Sequence, residues 1–210
     1  MAMKITKFEH ACLVIEKNNQ SIVVDPGNFS RDFVAPSNVT AVIITHEHQD
    51  HCDPAKITEI FNKNPNCVLL STAGVVSKIK DMSTKSVDAG QSLQIGDFSL
   101  KFFGGKHAEI HSSIPIIDNL GVMIDGLVYY PGDSFAIPDT PVDILALPVA
   151  APWMKISQSI DFLQQVKPGR VFPTHDAILS GDGKSIVDKL LRAASDEVGS
   201  AYERIDHLTI

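Results

Sequence analysis

Three histidines and an aspartate fall within six residues, His46-Glu47-His48-Gln49-Asp50-His51, directly after the apolar run Val42-Ile43-Ile44. Val42 to Ile44 reads as a short strand in the interior of a sheet, so the cluster is expected just past a strand end. In an extended segment alternate side chains share a side, so His46 and His48 point the same way and can hold one cation. Asp50 and His51 face a neighbouring position that a second cation can take. Imidazole combined with carboxylate suits zinc, manganese or iron. The pattern differs from the helical HExxH of zinc proteases, because position 50 is Asp where that motif has its second His. A solvated polar loop that happens to be rich in histidine is the alternative, and the specific spacing tells against it.

Four local ligands cannot complete two such sites, so others must arrive from elsewhere. His107 follows the apolar stretch Phe98 to Phe103 through Gly104-Gly105. Asp133 follows Leu127 to Tyr130, and His175 follows Arg170 to Phe172. Each is a ligand-type side chain just beyond a buried strand, where sites gather in layered sheet proteins. His111 lies four residues past His107, and either can be the ligand from that strand. His107 is favoured because it comes directly off the turn, which leaves His111 to contact substrate or support a ligand. His10, at a strand break, can approach the site or can equally be a packed or surface histidine. His207 is expected to be a tail residue. Cys52 reads as a metal neighbour or as a small buried filler, with the filler favoured. Trp153 reads as a core anchor or as a pocket wall. Gly181-Asp182-Gly183-Lys184 lacks the Walker pattern and reads as a loop before a helix.

The rest of the chain supplies a layered frame. Ile5 to Phe8, Ala11 to Ile15, Ser21 to Val24, Cys67 to Leu70, Ser92 to Ile95, Val122 to Ile124 and Asp143 to Leu147 read as further strands. Helices are predicted from Pro54 to Asn62 with Asp53 as N-cap, from Thr72 to Lys80, from Ser157 to Val166 and from Gly183 to Ala194. Strands, then mixed elements, then strands again give a layered α/β class. The 210 residues, 44% apolar and 20% charged, suit one globular domain over 1–210 with no linker. A net charge of −7 argues against broad binding to nucleic acid or anionic membrane. The three cysteines form no CxxC pair and suit a reducing compartment. Charged residues interrupt the start of the chain and no run spans a membrane, so the expected location is the cytoplasm.

Taken in order, Asp25, His46-x-His48-x-Asp50-His51, His107, Asp133 and His175 resemble the five-motif series of the metallo-β-lactamase superfamily, over residues from about 4 to 176. The resemblance implies an αββα four-layer sandwich with the site along one edge between two sheets. It implies that His46, His48 and His107 hold one metal, that Asp50, His51 and His175 hold the other, and that Asp133 bridges them. Asp25 is implied to hold the motif loop by hydrogen bonds. The expected cofactors are two divalent ions, zinc foremost, with manganese or iron as alternatives. Two such ions roughly 3.5–4 Å apart can hold a hydroxide between them that attacks a carbonyl or phosphoryl centre. Asp50 is the expected catalytic residue, orienting the water and accepting its proton. Compact length and the opening Phe8-Glu9-His10-Ala11-Cys12 make the chain similar to the small stand-alone metal-dependent hydrolases and their lactonase-like group. The expected substrate is therefore a small-molecule ester, lactone or phosphodiester. A nuclease or a mononuclear iron thiol dioxygenase on the same fold is the alternative, and self-association is left open.

Overall fold

A computed structural model describes residues 2–210. In the first sheet β1 (Lys4–Lys7), β2 (Leu13–Lys17) and β3 (Gln20–Val24) run antiparallel. β4 (Val39–Ile44), β5 (Val68–Ser71) and β6 (Thr84–Ser86) then add in parallel. The second sheet opens as an antiparallel meander of β7 (Ser92–Ile95), β8 (Phe98–Gly104), β9 (Leu120–Ile124) and β10 (Val128–Tyr130). It continues in parallel with β11 (Ile144–Pro148), β12 (Arg170–Thr174) and β13 (Ala201–Tyr202). β14 (His207–Thr209) returns to the first sheet and pairs with β1.

Alternation along the strands decides how the sheets stack, because successive side chains leave opposite faces. Leu13, Ile15, Ile22, Val24 and Ile43 of the first sheet meet Phe98, Phe102, Val122, Ile124, Val128 and Tyr130 of the second in a shared core. The intervening Val23, Val42 and Ile44 face outward and pack on Ile57 and Ile60 of helix α1 (Pro54–Lys63). A short helix, α2 (Ala73–Val76), covers the same face through Val75. Met123, Tyr129, Leu145 and Leu147 pack against Phe162 and Leu163 of α3 (Ile156–Val166) and against Val187 and Leu191 of α4 (Gly181–Val198). The layers therefore run αββα. Each fully buried Ile, Val or Phe contributes roughly 1.5–3 kcal/mol through area removed from water.

Three expectations need correction. Gly181-Asp182-Gly183-Lys184, expected as a loop before a helix, is the first turn of α4, with the Ser180 hydroxyl accepting the Gly183 N–H at 3.1 Å as N-cap. The helix expected over Thr72 to Lys80 is only Ala73–Val76, because Lys78 and Ile79 donate to carbonyls three residues back and tighten the chain into turns. His207 is a strand residue paired with Thr6.

The strand order places chemistry at one edge. Asp53 caps α1 by accepting the Ala55 N–H at 2.9 Å, so a helix starts directly after the histidine cluster and fixes its exit. Leu120 N donates to Thr45 O at 3.0 Å, joining the end of β4 to the start of β9 across the two sheets.

Candidate metal centre

Asp25, the residue after β3, is fully buried and gathers the site's scaffold. Its Oδ1 accepts the Thr45 N–H at 2.7 Å. Its Oδ2 accepts the Thr45 hydroxyl and His51 Nδ1–H at 2.7 Å each, and the Tyr130 hydroxyl at 2.9 Å. One carboxylate thus ties the motif loop to both sheets. Its backbone lies at φ 44°, a left-handed conformation that aspartate tolerates better than most residues. Gly27 completes the support. A Cβ there would lie 1.7 Å from the Asp50 carbonyl oxygen, so the chain after β3 runs against the motif loop with no room for a side chain.

Four imidazoles repeat one arrangement. His51 donates Nδ1–H to Asp25 at 2.7 Å, His107 to the Ala108 carbonyl at 2.5 Å and His175 to the Ala150 carbonyl at 2.6 Å. The Thr45 hydroxyl gives its proton to Asp25 and so accepts from His46 Nδ1 at 3.0 Å. With a proton fixed on Nδ1, Nε2 is the atom of each ring left to ligate a cation once it is unprotonated. These atoms converge on Asp133. His51 Nε2 lies 3.1 Å from its Oδ1, and His175 and His107 Nε2 lie 3.1 and 3.4 Å from its Oδ2. His46 Nε2 lies 3.1 Å from His48 Nδ1.

Two ligand groups result, each with its donor atoms within 4.8 Å of one another: His46, His48, His107 and Asp133, and then His10, Asp50, His51 and His175. Asp133 touches members of both. Nε2 of His51, His107 and His175 and Oδ1 of Asp133 are buried without a hydrogen-bond partner. Each such atom costs about 1–3 kcal/mol when left unsatisfied. Several in one place, all nitrogen or carboxylate, are the donor set that fits a metal cation.

The charges answer one another. Burial depresses His46 and His48. Burial also lowers His51 and His175, but the Asp133 carboxylate outweighs it, pushing His175 up to about 9 and His51 well above the usual histidine range. Burial would raise Asp50 and Asp133. The His10 hydrogen bond and the nearby His51 and His175 hold Asp50 far below the usual carboxylate range instead, and the charges of His51 and His175 do the same for Asp133.

Of the two histidines in the β8–β9 connection, His107 enters the cluster. His111 lies outside it: the ring is exposed and its Nδ1 accepts the Ser113 N–H at 3.1 Å and the Ser113 hydroxyl at 2.8 Å, closing a local turn. His111 therefore neither joins the cluster nor hydrogen-bonds one of its members. Trp153 combines its two readings. It is buried against Phe135, and its indole N–H donates to Asp133 Oδ2 at 2.8 Å. Trp153→Phe is therefore expected to keep the fold and weaken metal affinity by roughly 10–100-fold, the usual effect of losing a ligand's hydrogen-bond partner. Competition against a chromophoric chelator measures this, and unchanged affinity would deny the bond any role. Cys52 lines a cavity of about 480 Å³ with Ile57, Val75 and Met82 and is absent from both ligand groups. Burial pushes its thiol up to about 11.

Several participants carry no sequence signature. Asn119 is fully buried, accepts the Asp133 N–H at 3.0 Å and donates to the Pro131 carbonyl at 2.9 Å, fixing the turn that presents Asp133. Gly132, at φ 63°, sits so close that a Cβ would lie 2.4 Å from Asn119 Oδ1. Thr45 and Tyr130 read from sequence as ordinary strand residues. His10 is fully buried in the cluster and burial lowers it to about 4.

Comparison with known proteins agrees with this architecture. Residues 4–175 match the family described as the beta-lactamase superfamily domain. Protein Rv0786c of Mycobacterium tuberculosis is 34% identical over 189 residues, 88% of this chain and 89% of that protein. A UPF0173 metal-dependent hydrolase of Carboxydothermus hydrogenoformans is 26% identical over 199 residues, 82% of this chain and 84% of the relative. The solved structure of Igni18, a metallo hydrolase from the archaeon Ignicoccus hospitalis, superposes with a TM-score of 0.77 at 18% identity and covers 100% of this chain and 99% of its own. Among the described residues, no helix is long and apolar enough to cross a membrane.

Proposed function

The chain belongs to the beta-lactamase superfamily, and from that premise we propose that it is a metal-dependent hydrolase of a small-molecule ester, lactone or phosphodiester. His46, His48 and His107 would hold one divalent ion and Asp50, His51 and His175 the other, with Asp133 shared. Zinc or manganese suits this set of imidazole and carboxylate donors. What carries the reading is the convergence of buried, unpartnered Nε2 atoms on Asp133. The name of the Carboxydothermus relative supports the same reaction class. Two unpaired cysteines are buried, which fits a reducing compartment, and we place the enzyme in the cytoplasm.

When bound, such ions supply an acidified water and a Lewis acid for the electrophilic oxygen. The protein's own residues do the rest. Asp25, Thr45 and the Ala108 and Ala150 carbonyls keep each ring in the tautomer that exposes Nε2. Trp153 and Asn119 fix Asp133 from its side chain and its backbone. The Asp50 side chain is 24% exposed, against 3% for Asp133, so it faces incoming substrate and solvent. It orients the attacking water and takes up its proton at the open side of the cluster. A panel of lactones, phosphodiesters and thioesters, assayed with metal-reconstituted protein, tests the proposal. Turnover that chelation removes and metal restores is expected. Oxygen consumption with a thiol, in protein holding one iron, would replace hydrolysis by oxygenation.

Metal uptake should be pH-dependent in a stated direction. In metal-free protein His51 and His175 hold protons above neutrality, and both must lose them to ligate. Affinity should rise with pH towards about 9, where His175 titrates. The same shift has the opposite effect on the metal-free fold. A histidine raised above its ordinary 6.5 stabilises the folded state fully below that pH and ceases to do so as pH passes through about 9. Calorimetry in buffers of differing ionisation enthalpy should show proton release on metal binding at pH 7. Zero release would contradict the protonated pair.

A further inference from the structure

We infer that His10 is a positioning residue, which holds Asp50 through an Nε2–H hydrogen bond and is not itself a metal ligand. The inference rests on the two-ion reading of the site. Distance alone leaves the point open, because His10 lies within ligand range of Asp50, His51 and His175. The tautomer decides it.

His10 stands in the turn between β1 and β2, closed by Phe8 N donating to Cys12 O at 2.9 Å. Its backbone lies at φ 68°, and its ring is fully buried between Phe29 and His175, with centroids at 5.1 and 4.0 Å. The segment after β12 clamps it twice. His175 N donates to the His10 carbonyl at 2.9 Å, and Ala177 N donates to His10 Nδ1 at 3.3 Å. A backbone amide can only donate, so Nδ1 must carry the lone pair and the ring proton sits on Nε2. That proton faces Asp50 Oδ2 at 3.0 Å. Ligation by Nε2 would force the proton to Nδ1, against the Ala177 N–H, leaving two donors face to face. His51 and His175 are built the other way, with Nδ1 facing a carboxylate and a carbonyl. The cluster therefore contains two classes of histidine, sorted by what stands behind Nδ1. His10 directs the Asp50 carboxylate and also locks the chain around His175, so it sets two ligands of the same ion.

Metal titration of wild type, His10→Asn and His10→Gln tests this. Asparagine tolerates the left-handed backbone but is too short to reach Asp50, whereas the longer glutamine amide can donate to it. His10→Asn should still bind two ions at saturation, with the affinity for the weaker ion lowered roughly 10–100-fold, and His10→Gln should recover most of that loss. A His10→Asn protein that cannot take up a second ion at any concentration, unrescued by glutamine, would make His10 a ligand and overturn the inference. Wild-type affinity in His10→Asn would reduce the residue to packing and overturn it equally. The ¹⁵N shifts of the wild-type ring, read before and after metal addition, need no variant. An Nε2–H tautomer throughout is expected, and a metal-bound Nε2 contradicts it. Wild-type protein binding fewer than two ions would instead overturn the two-ion reading, while the ring shifts would still report the hydrogen bond separately.

Discussion

Asp133→Ala is expected to abolish turnover while leaving a folded protein. The carboxylate lies within 3.4 Å of His51, His107 and His175 Nε2, and its oxygens are the negative charge on which these rings converge. Losing a mere hydrogen-bond partner of a ligand typically costs 10–100-fold. If Asp133 is shared by both ions as proposed, its loss should lower turnover by roughly 10³-fold or more, with at least one ion lost. The fold should survive for two reasons. The turn that presents position 133 is held by Asn119 and Gly132 through the backbone, which the substitution leaves intact. Asp133 is the largest cause that raises His51 and His175, and without it Asp25 and Asp50 still stand beside the two rings as counter-charges. Asp50→Ala should behave alike. Near-native circular dichroism with undetectable turnover is the expected pair of results, and full turnover in both variants would sink the proposed chemistry.

Asp25→Ala should act on stability as well as activity. Removing its carboxylate orphans the Thr45 N–H, the Thr45 and Tyr130 hydroxyls and His51 Nδ1–H, all within a fully buried site. Breaking a buried charged network by deleting one partner costs about 3–5 kcal/mol, and alanine at a positive φ adds of order 1 kcal/mol. Asp25→Asn keeps the shape and tolerates the backbone but offers a single acceptor oxygen, so it should fall between wild type and alanine. Urea unfolding of the metal-free proteins gives the ranking. A loss under 1 kcal/mol for Asp25→Ala would mean that water or rearranged neighbours satisfy the four donors. Metal affinity should fall too, because His51 would lose the acceptor that sets its tautomer.

Much of this could be read in the sequence for physical reasons. Buried strands announce themselves by short apolar runs, and histidine or aspartate just past such a run is unusual enough to stand out. The unbroken apolar run Ile22-Val23-Val24 fits a strand with two buried faces, as a sandwich covered by helices requires. The role of His10 is not legible in the sequence, because its partner Asp50 is forty positions away and Ala177 is farther still. Asn119, Thr45 and Tyr130 are common residue types whose role exists only once two sheets meet. His107 and His111 share a loop, and what separates them is that His107 N pairs with the Ile117 carbonyl whereas His111 turns back on Ser113. The short strands β6, β13 and β14 have too few apolar residues to signal themselves, and they form through pairing with neighbours already in place.

The central claim is that these side chains form one centre for two divalent ions. Elemental analysis of the purified protein, after loading with zinc or manganese and exhaustive dialysis, tests it most directly. Two ions per chain in the wild type, with a deficit in Asp133→Ala, is the predicted result. One iron per chain with the second group empty, or no retained metal under any loading condition, would contradict it.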